Sequence, residues 1–227
     1  MKLAHSNQEI EIKLHVADIS ALHRKLKQLK ARKICSRTCE SNTLYDDAKK
    51  SLSARGQLLR VRINQPAPIG AQKRLADVGN AIITYKGPAR SPSRVGSAPT
   101  AKSRYKIKEE VEVDFGSLLG NNERAADQMK RILHAIGLRP VFQYEKFRTT
   151  YVLPRIANLK VELDETPIGT YLELEGTESG IDRAAKLLGY TQQDYITQSY
   201  GVLYISFCRS RGSRPGNMLF AATKKLR

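Results

Sequence analysis

Between residues 9 and 175 the chain repeatedly alternates charged and apolar side chains one for one. This period of two constrains the fold more than any other feature of the chain. In Glu9-Ile10-Glu11-Ile12-Lys13-Leu14 the charged residues take one face of a strand and the apolar residues the other. The pattern returns in residues 57–63, with Arg60 and Arg62 in phase, and in residues 81–86, which end on Lys86. In residues 105–115 it puts Lys106, Lys108, Glu110, Glu112 and Asp114 together, with Glu109 the exception on the apolar face. Residues 141–153 follow with Lys146 and Arg148, residues 159–165 with Lys160, Glu162 and Asp164, and residues 171–175 with Glu173 and Glu175.

Helical spacing interrupts these strands. Asp18 as N-cap with Ile19, Leu22, Leu26 and Leu29 predicts a helix to about residue 30. Asn122 as cap and Gly137 as stop bound a second helix, with Met129, Ile132, Leu133 and Ile136 as its expected buried stripe. Residues 181–188, ended by Gly189, and residues 198–209 complete the helical set. Residues 34–44 read as a poorly defined strand, because Ser36, Arg37 and Thr38 break the alternation, and residues 52–56 read as a turn.

One charged strand face is an ordinary solvated surface. Here nearly every position on these faces is fully charged, whereas solvated faces mix in Thr, Ser and Gln. The apolar faces match the helix stripes, so helices are expected outside and the charged faces inside. A dry interior cannot hold them: each desolvated charge costs several kcal/mol, against a net stability of about 5–15 kcal/mol. The expected fold is therefore α+β, an antiparallel β-barrel with a wet tunnel and helices packed on its outside. Such a tunnel suits an anionic ligand, with Lys and Arg on phosphates and carboxylates on a divalent metal. A metal-chelated triphosphate meets both demands.

Composition narrows the setting. The 227 residues carry a net charge of +17 with a pI near 9.9, which points to an anionic partner such as nucleic acid, acidic lipid or polyphosphate. Three cysteines at irregular spacing predict no disulfide framework or zinc site, and no apolar stretch is long enough for a signal peptide or membrane span. A cytoplasmic protein without a membrane partner is the default. No linker divides the strands, so residues 1–208 are expected to form one domain, with residues 66–72 and 87–101 as loops. Residues 209–227 form a basic tail, for which a plug, a disordered end or an oligomer contact, a homodimer included, stay open.

Six ordered motifs carry a resemblance. They are E-x-E-x-K at Glu9, Glu11 and Lys13, L-R-V-R at 59–62, T-Y-K-G-P at 84–88, Y-E-K-F-R at 144–148, L-D-E-T-P-I-G at 163–169 and L-E-L-E-G at 172–176. Together they closely resemble the CYTH family, the triphosphate tunnel metalloenzymes, over roughly residues 8–205. The resemblance implies an eight-stranded antiparallel tunnel and activities that include inorganic triphosphatase, thiamine triphosphatase and class IV adenylate cyclase. It implies Mg2+ or Mn2+ as cofactor, with Glu9, Glu11, Glu173 and Glu175 as metal ligands. Lys13, Arg60, Arg62, Lys86, Lys146 and Arg148 would clamp the triphosphate, with Asp164 beside them. Lys106, Lys108, Glu110, Glu112 and Glu162 would be further tunnel residues, and Glu11 and Lys13 would act in catalysis.

The first expectation is metal-dependent hydrolysis of inorganic or thiamine triphosphate. Adenylate cyclase is the alternative, although nothing in the chain visibly specifies adenine. A non-catalytic polyphosphate or nucleic-acid binder is the third reading, disfavoured because a pure polyanion binder gains nothing from the glutamates. The chain has no Trp and few Phe, which offers no base-stacking platform.

Overall fold

The computed structural model describes residues 8–66, 79–89, 104–115 and 122–220. Most of both expected loops, the capping side chain of Asn122 and the last seven residues lie outside this set. In chain order the elements are β1 (Gln8–His15), α1 (Ile19–Gln28), β2 (Arg32–Asp46), α2 (Ser51–Ala54), β3 (Leu58–Pro66), β4 (Asn80–Lys86) and β5 (Lys106–Asp114). There follow α3 (Asn122–Ala135), β6 (Arg139–Val152), β7 (Lys160–Thr166), β8 (Gly169–Glu175), α4 (Glu178–Leu188) and α5 (Tyr200–Ser210).

The strands close into an antiparallel barrel in the order β1-β5-β4-β3-β2-β6-β7-β8. The first strand makes the closure: residues 8–11 pair with β5 and residues 11–15 with β8. A slip of one residue would turn every charge outward and every aliphatic side chain inward, so the alternation itself sets the register. Ile12, Leu14, Leu172 and Leu174 are fully buried on the outer face, under Leu22 and Leu26 of α1 and Ile181 and Ala184 of α4. Each such side chain contributes roughly 1.5–3 kcal/mol by burial. Val61 and Ala81 pack likewise under Ala126 and Leu133 of α3.

Local chemistry sets the helix ends. The Asp18 carboxylate accepts the Ala21 amide at 2.9 Å, and the Thr177 hydroxyl accepts the Gly180 amide at 3.1 Å. Gly189, at φ 94°, ends α4 in the left-handed conformation.

Four expectations change. The buried face of α3 is Ala125, Ala126 and Leu133, whereas Ile132 and Ile136 are 56% and 67% exposed. The small alanines turn toward β3 and β4, where they let the helix approach closely. Val111 and Val113 are also exposed, so no helix among the described residues coats this part of the outer face of β5. The expected turn at 52–56 contains α2, held by the Asp46 carboxylate, which accepts the Leu52 and Ser53 amides at 2.9 Å each. Finally, β2 is a continuous 15-residue strand whose register shifts at Lys33/Cys35 and Cys35/Thr38 account for its broken alternation.

Part of the basic C-terminal stretch belongs to the sheet. β7 pairs with β6 only from Phe147 onward, which leaves an edge at residues 143–145. Met218 fills it: its amide donates to Gln143 at 2.9 Å and its carbonyl accepts the Glu145 amide at 3.0 Å.

Gly176 ends β8 where a Cβ would stand 2.7 Å from the Asn158 carbonyl oxygen. Because that obstacle is backbone, Gly176→Ala should cost about 1–3 kcal/mol. A urea titration checks this, and an unchanged midpoint would mean that the 158–159 segment yields freely.

Candidate functional site

The charged faces converge on an internal cavity of about 450 Å³. The lining includes Glu9, Glu11 and Lys13 of β1, Arg60 and Arg62 of β3, Lys86 of β4, and Lys106, Glu110 and Glu112 of β5. Lys146 and Arg148 of β6, Glu162 of β7, and Glu173 and Glu175 of β8 complete the expected set. Two expected residues stand elsewhere. Asp164 is fully buried behind Lys146 and Arg148, and Lys108 donates to the Gly56 carbonyl at 3.0 Å instead of joining the lining.

Strand order sorts the charges into two arcs. The neighbours β7, β8 and β1 carry Glu162, Asp164, Glu173, Glu175, Glu9 and Glu11, with Lys13 and Lys160 among them. The neighbours β4, β3, β2 and β6 carry Lys86, Arg60, Arg62, Lys146 and Arg148. β5 carries both signs and joins the arcs on one side. The lumen is therefore polarised, acidic on one wall and basic on the other.

Ion pairs run both within and between the walls. Lys13 lies 3.2 Å from Glu11 and 2.9 Å from Glu173. Burial works against this ammonium, but the two carboxylates outweigh it and hold the lysine pKa above its ordinary value. Lys86 meets Glu9 at 2.6 Å and Glu110 at 3.1 Å, and Lys106 meets Glu11. Asp164 accepts Lys146 at 2.9 Å, Arg148 Nε at 2.7 Å and the Tyr200 hydroxyl at 2.7 Å. Arg60 donates to the Tyr144 hydroxyl, Thr84 and Glu112, each at 3.2 Å.

The carboxylates of the acidic wall crowd one another even though lysines and arginines pair with them. Against burial, Lys13 and Lys106 hold Glu11, and Lys13, Lys146 and Arg148 hold Glu173, well below the usual carboxylate range. In register, Glu11 stands directly opposite Glu175 and Glu162 directly opposite Glu173. Like charges so placed repel. Burial, with Glu173 and Asp164 nearby, pushes the Glu162 carboxyl up to about 7 despite Arg148. Burial and Glu9 push Glu110 up to about 8 despite Lys86.

These residues fit a divalent ion. Among the described residues no preformed cluster of three ligands exists, because the carboxylates are drawn to lysines and arginines. Crowded carboxylate oxygens are, however, the donors that hard ions such as Mg2+ and Mn2+ take, and such an ion would relieve the repulsion between facing glutamates.

Sequence reading passed over several lumen groups. Glu40 and Asn42 of β2 are buried beside the arginines, at 4% and 1% exposure. Their in-phase spacing with Leu44 was the available signal, masked by the irregular start of the strand. Thr84, Tyr144 and Tyr200 also join the network, and only the packing of α5 against the barrel brings Tyr200 to Asp164.

A closed antiparallel barrel around a polarised, charged lumen defines a tunnel protein. The chain belongs to the CYTH family: the CYTH domain model matches residues 7–200. This family acts on triphosphate substrates and generally uses a divalent metal. No curated protein matches the chain. A solved structure of a candidate adenylate cyclase from Vibrio parahaemolyticus superposes with a TM-score of 0.61 at 18% identity, covering 86% of this chain and 97% of that one. A Pyrococcus horikoshii protein superposes equally well, at 0.61 and 19% identity, over 88% and 99% of the two chains. A Hippeastrum protein, described as a candidate adenylyl cyclase with a dominant triphosphatase activity, gives 0.53 at 20% identity over 91% and 97%. At these identities the likeness speaks for the fold. Among the described residues no helix is long and apolar enough to cross a membrane.

Proposed function

We propose that the protein is a metal-dependent triphosphatase whose tunnel hydrolyses inorganic or thiamine triphosphate. The observation that carries this reading is the polarised lumen, a basic wall and an acidic wall facing each other across one cavity. Arg60, Arg62, Lys86, Lys146 and Arg148, with Lys13 opposite, would hold the phosphate oxygens, while Asp164 keeps Lys146 and Arg148 aimed. Glu9, Glu11, Glu173 and Glu175 would hold the divalent ion. When bound, that ion supplies charge neutralisation and Lewis acidity at the phosphoryl oxygens.

Water attacks the terminal phosphorus in line, the bond to the bridging oxygen breaks, and diphosphate or a diphosphate ester leaves. The residues supply fixed geometry and fixed charge, the two largest contributions to such a reaction. Lys13, which lies between Glu11 and Glu173, would orient the water or the attacked oxygen.

The test offers purified protein tripolyphosphate, thiamine triphosphate and ATP separately, with Mg2+ or Mn2+ and then with chelator. Phosphate release from either of the first two, lost on chelation without unfolding, is the expected result. Cyclic AMP with diphosphate from ATP would identify a cyclase instead. Metal-independent turnover would refute the metal assignment.

Arg60→Ala should raise KM by about ten- to a hundredfold, the loss expected for hydrogen bonds to a charged ligand. Thr84 and Arg62 remain bonded to Glu112, so stability should fall less than binding. A large drop in melting temperature with an unchanged KM would return the face to a purely structural role.

A further inference from the structure

Glu40 stands out against the polarity of the tunnel. Among the described residues it is the inward carboxylate on the basic arc, on β2 between the arginine pair of β3 and the cations of β6. It lies 3.6 Å from Arg62, 3.4 Å from Lys146 and 3.8 Å from Arg148. Each of those cations has a shorter bond elsewhere: Arg62 to Glu112 at 3.2 Å, Lys146 to Asp164 at 2.9 Å and Arg148 to Asp164 at 2.6 Å. Glu40 Oε2 is buried without a hydrogen-bond partner, an uncommon state for a carboxylate oxygen. Glu40 is also absent from the residues that line the cavity.

A side chain that merely positioned the clamp would hold it through well-formed hydrogen bonds, as Asp164 does. Glu40 instead supplies charge without directing geometry. Resting on the phosphate-binding role proposed for the basic wall, we infer that Glu40 is a buried counter-charge that weakens the clamp's grip on polyphosphate and so promotes release of the anionic product. Burial works against its charge, but Lys146 and Arg148 hold its carboxyl well below the usual range, so it is ionised at neutral pH. In the free protein it offsets repulsion among three clustered cations. Once phosphate oxygens occupy the clamp, the same negative charge opposes them at close range in a poorly solvated site.

The sign of the effect separates this role from a structural one. Removing a clamp residue or loosening its support weakens anion binding, whereas removing Glu40's charge should strengthen it. At an effective dielectric near 20 the opposition of a buried unit charge adjoining the clamp corresponds to roughly tenfold in affinity, so Glu40→Gln should bind about tenfold more tightly. The probe is inorganic tripolyphosphate, titrated by calorimetry into protein kept metal-free with chelator, at low and at high salt. The expected result is tighter binding by Glu40→Gln, a smaller gain at high salt, and lower kcat together with lower KM in the metal-loaded assay. Equal or weaker binding by a folded Glu40→Gln overturns the inference. Should that variant fail to fold, Glu40→Asp, whose carboxylate is drawn back toward β2 by one methylene, must still bind more tightly than wild type, and equal or weaker binding there overturns it as well. Wild-type protein that binds no tripolyphosphate would refute the phosphate-binding reading itself, an outcome seen before any variant is compared.

Discussion

Asp164→Ala should lose about 3–5 kcal/mol of stability, the typical consequence of stripping the partner from a buried charge. Asp164 is fully buried and bonds Lys146, Arg148 and Tyr200. Among the described residues the carboxylates then left to Lys146 are Glu40 at 3.4 Å and Glu173 at 4.0 Å, neither of them as close as the lost contact. For a chain of this size the loss corresponds to a fall in Tm of roughly 10 °C, readable in a thermal melt. Asp164→Asn, which keeps the volume, separates lost charge from the cavity. A change within about 1 kcal/mol for Asp164→Ala would mean that Lys146 and Arg148 are well hydrated and the lumen open to water at that depth.

Glu11→Gln should have the opposite profile, a large loss of turnover with a modest loss of stability. The substitution is nearly isosteric and spares the apolar face of β1, where Ile12 and Leu14 are fully buried. Lys13 retains Glu173 at 2.9 Å, and both Lys13 and Lys106, which pair with Glu11, can still donate to the amide oxygen of the glutamine. Glu11→Gln, which leaves its lysines an acceptor, should thus cost less than Asp164→Ala, which strips the closest partner from Lys146 and a bonded partner from Arg148. As a proposed metal ligand, Glu11 should support several kcal/mol of transition-state stabilisation, so kcat is expected to drop about a hundredfold or more. Normal metal-dependent turnover by a folded Glu11→Gln would remove Glu11 from the ligand set.

How much of this was legible in the sequence follows from the range of each interaction. Alternation is local, so the strands of Glu9 to Leu14, Arg60 to Ile63 and Glu173 to Glu175 could be read with their inner and outer faces assigned. Caps are local too, and Asp18 and Gly189 stand where their chemistry requires. The buried face of α3 misled because Ile132 and Ile136 are more hydrophobic than Ala125 and Ala126, yet close approach to the sheet favoured the smaller side chains. Glu40 and Asn42 stayed hidden because the register shifts of β2 come from its pairing with β6, a partner more than a hundred residues away.

By itself, the sequence determined that the chain forms strands with one fully charged face, and desolvation then demanded that those faces enclose a wet lumen. Only the tertiary structure decided how the lumen is divided. Strand order is set by long-range pairing, with β1 beside β5 and β8, and β2 beside β6. That order gathers carboxylates on one wall and cations on the other, and it leaves Glu40 as a buried negative charge on the basic side. Distances of a few ångströms between residues far apart in the chain fix these electrostatics, and no local pattern encodes them.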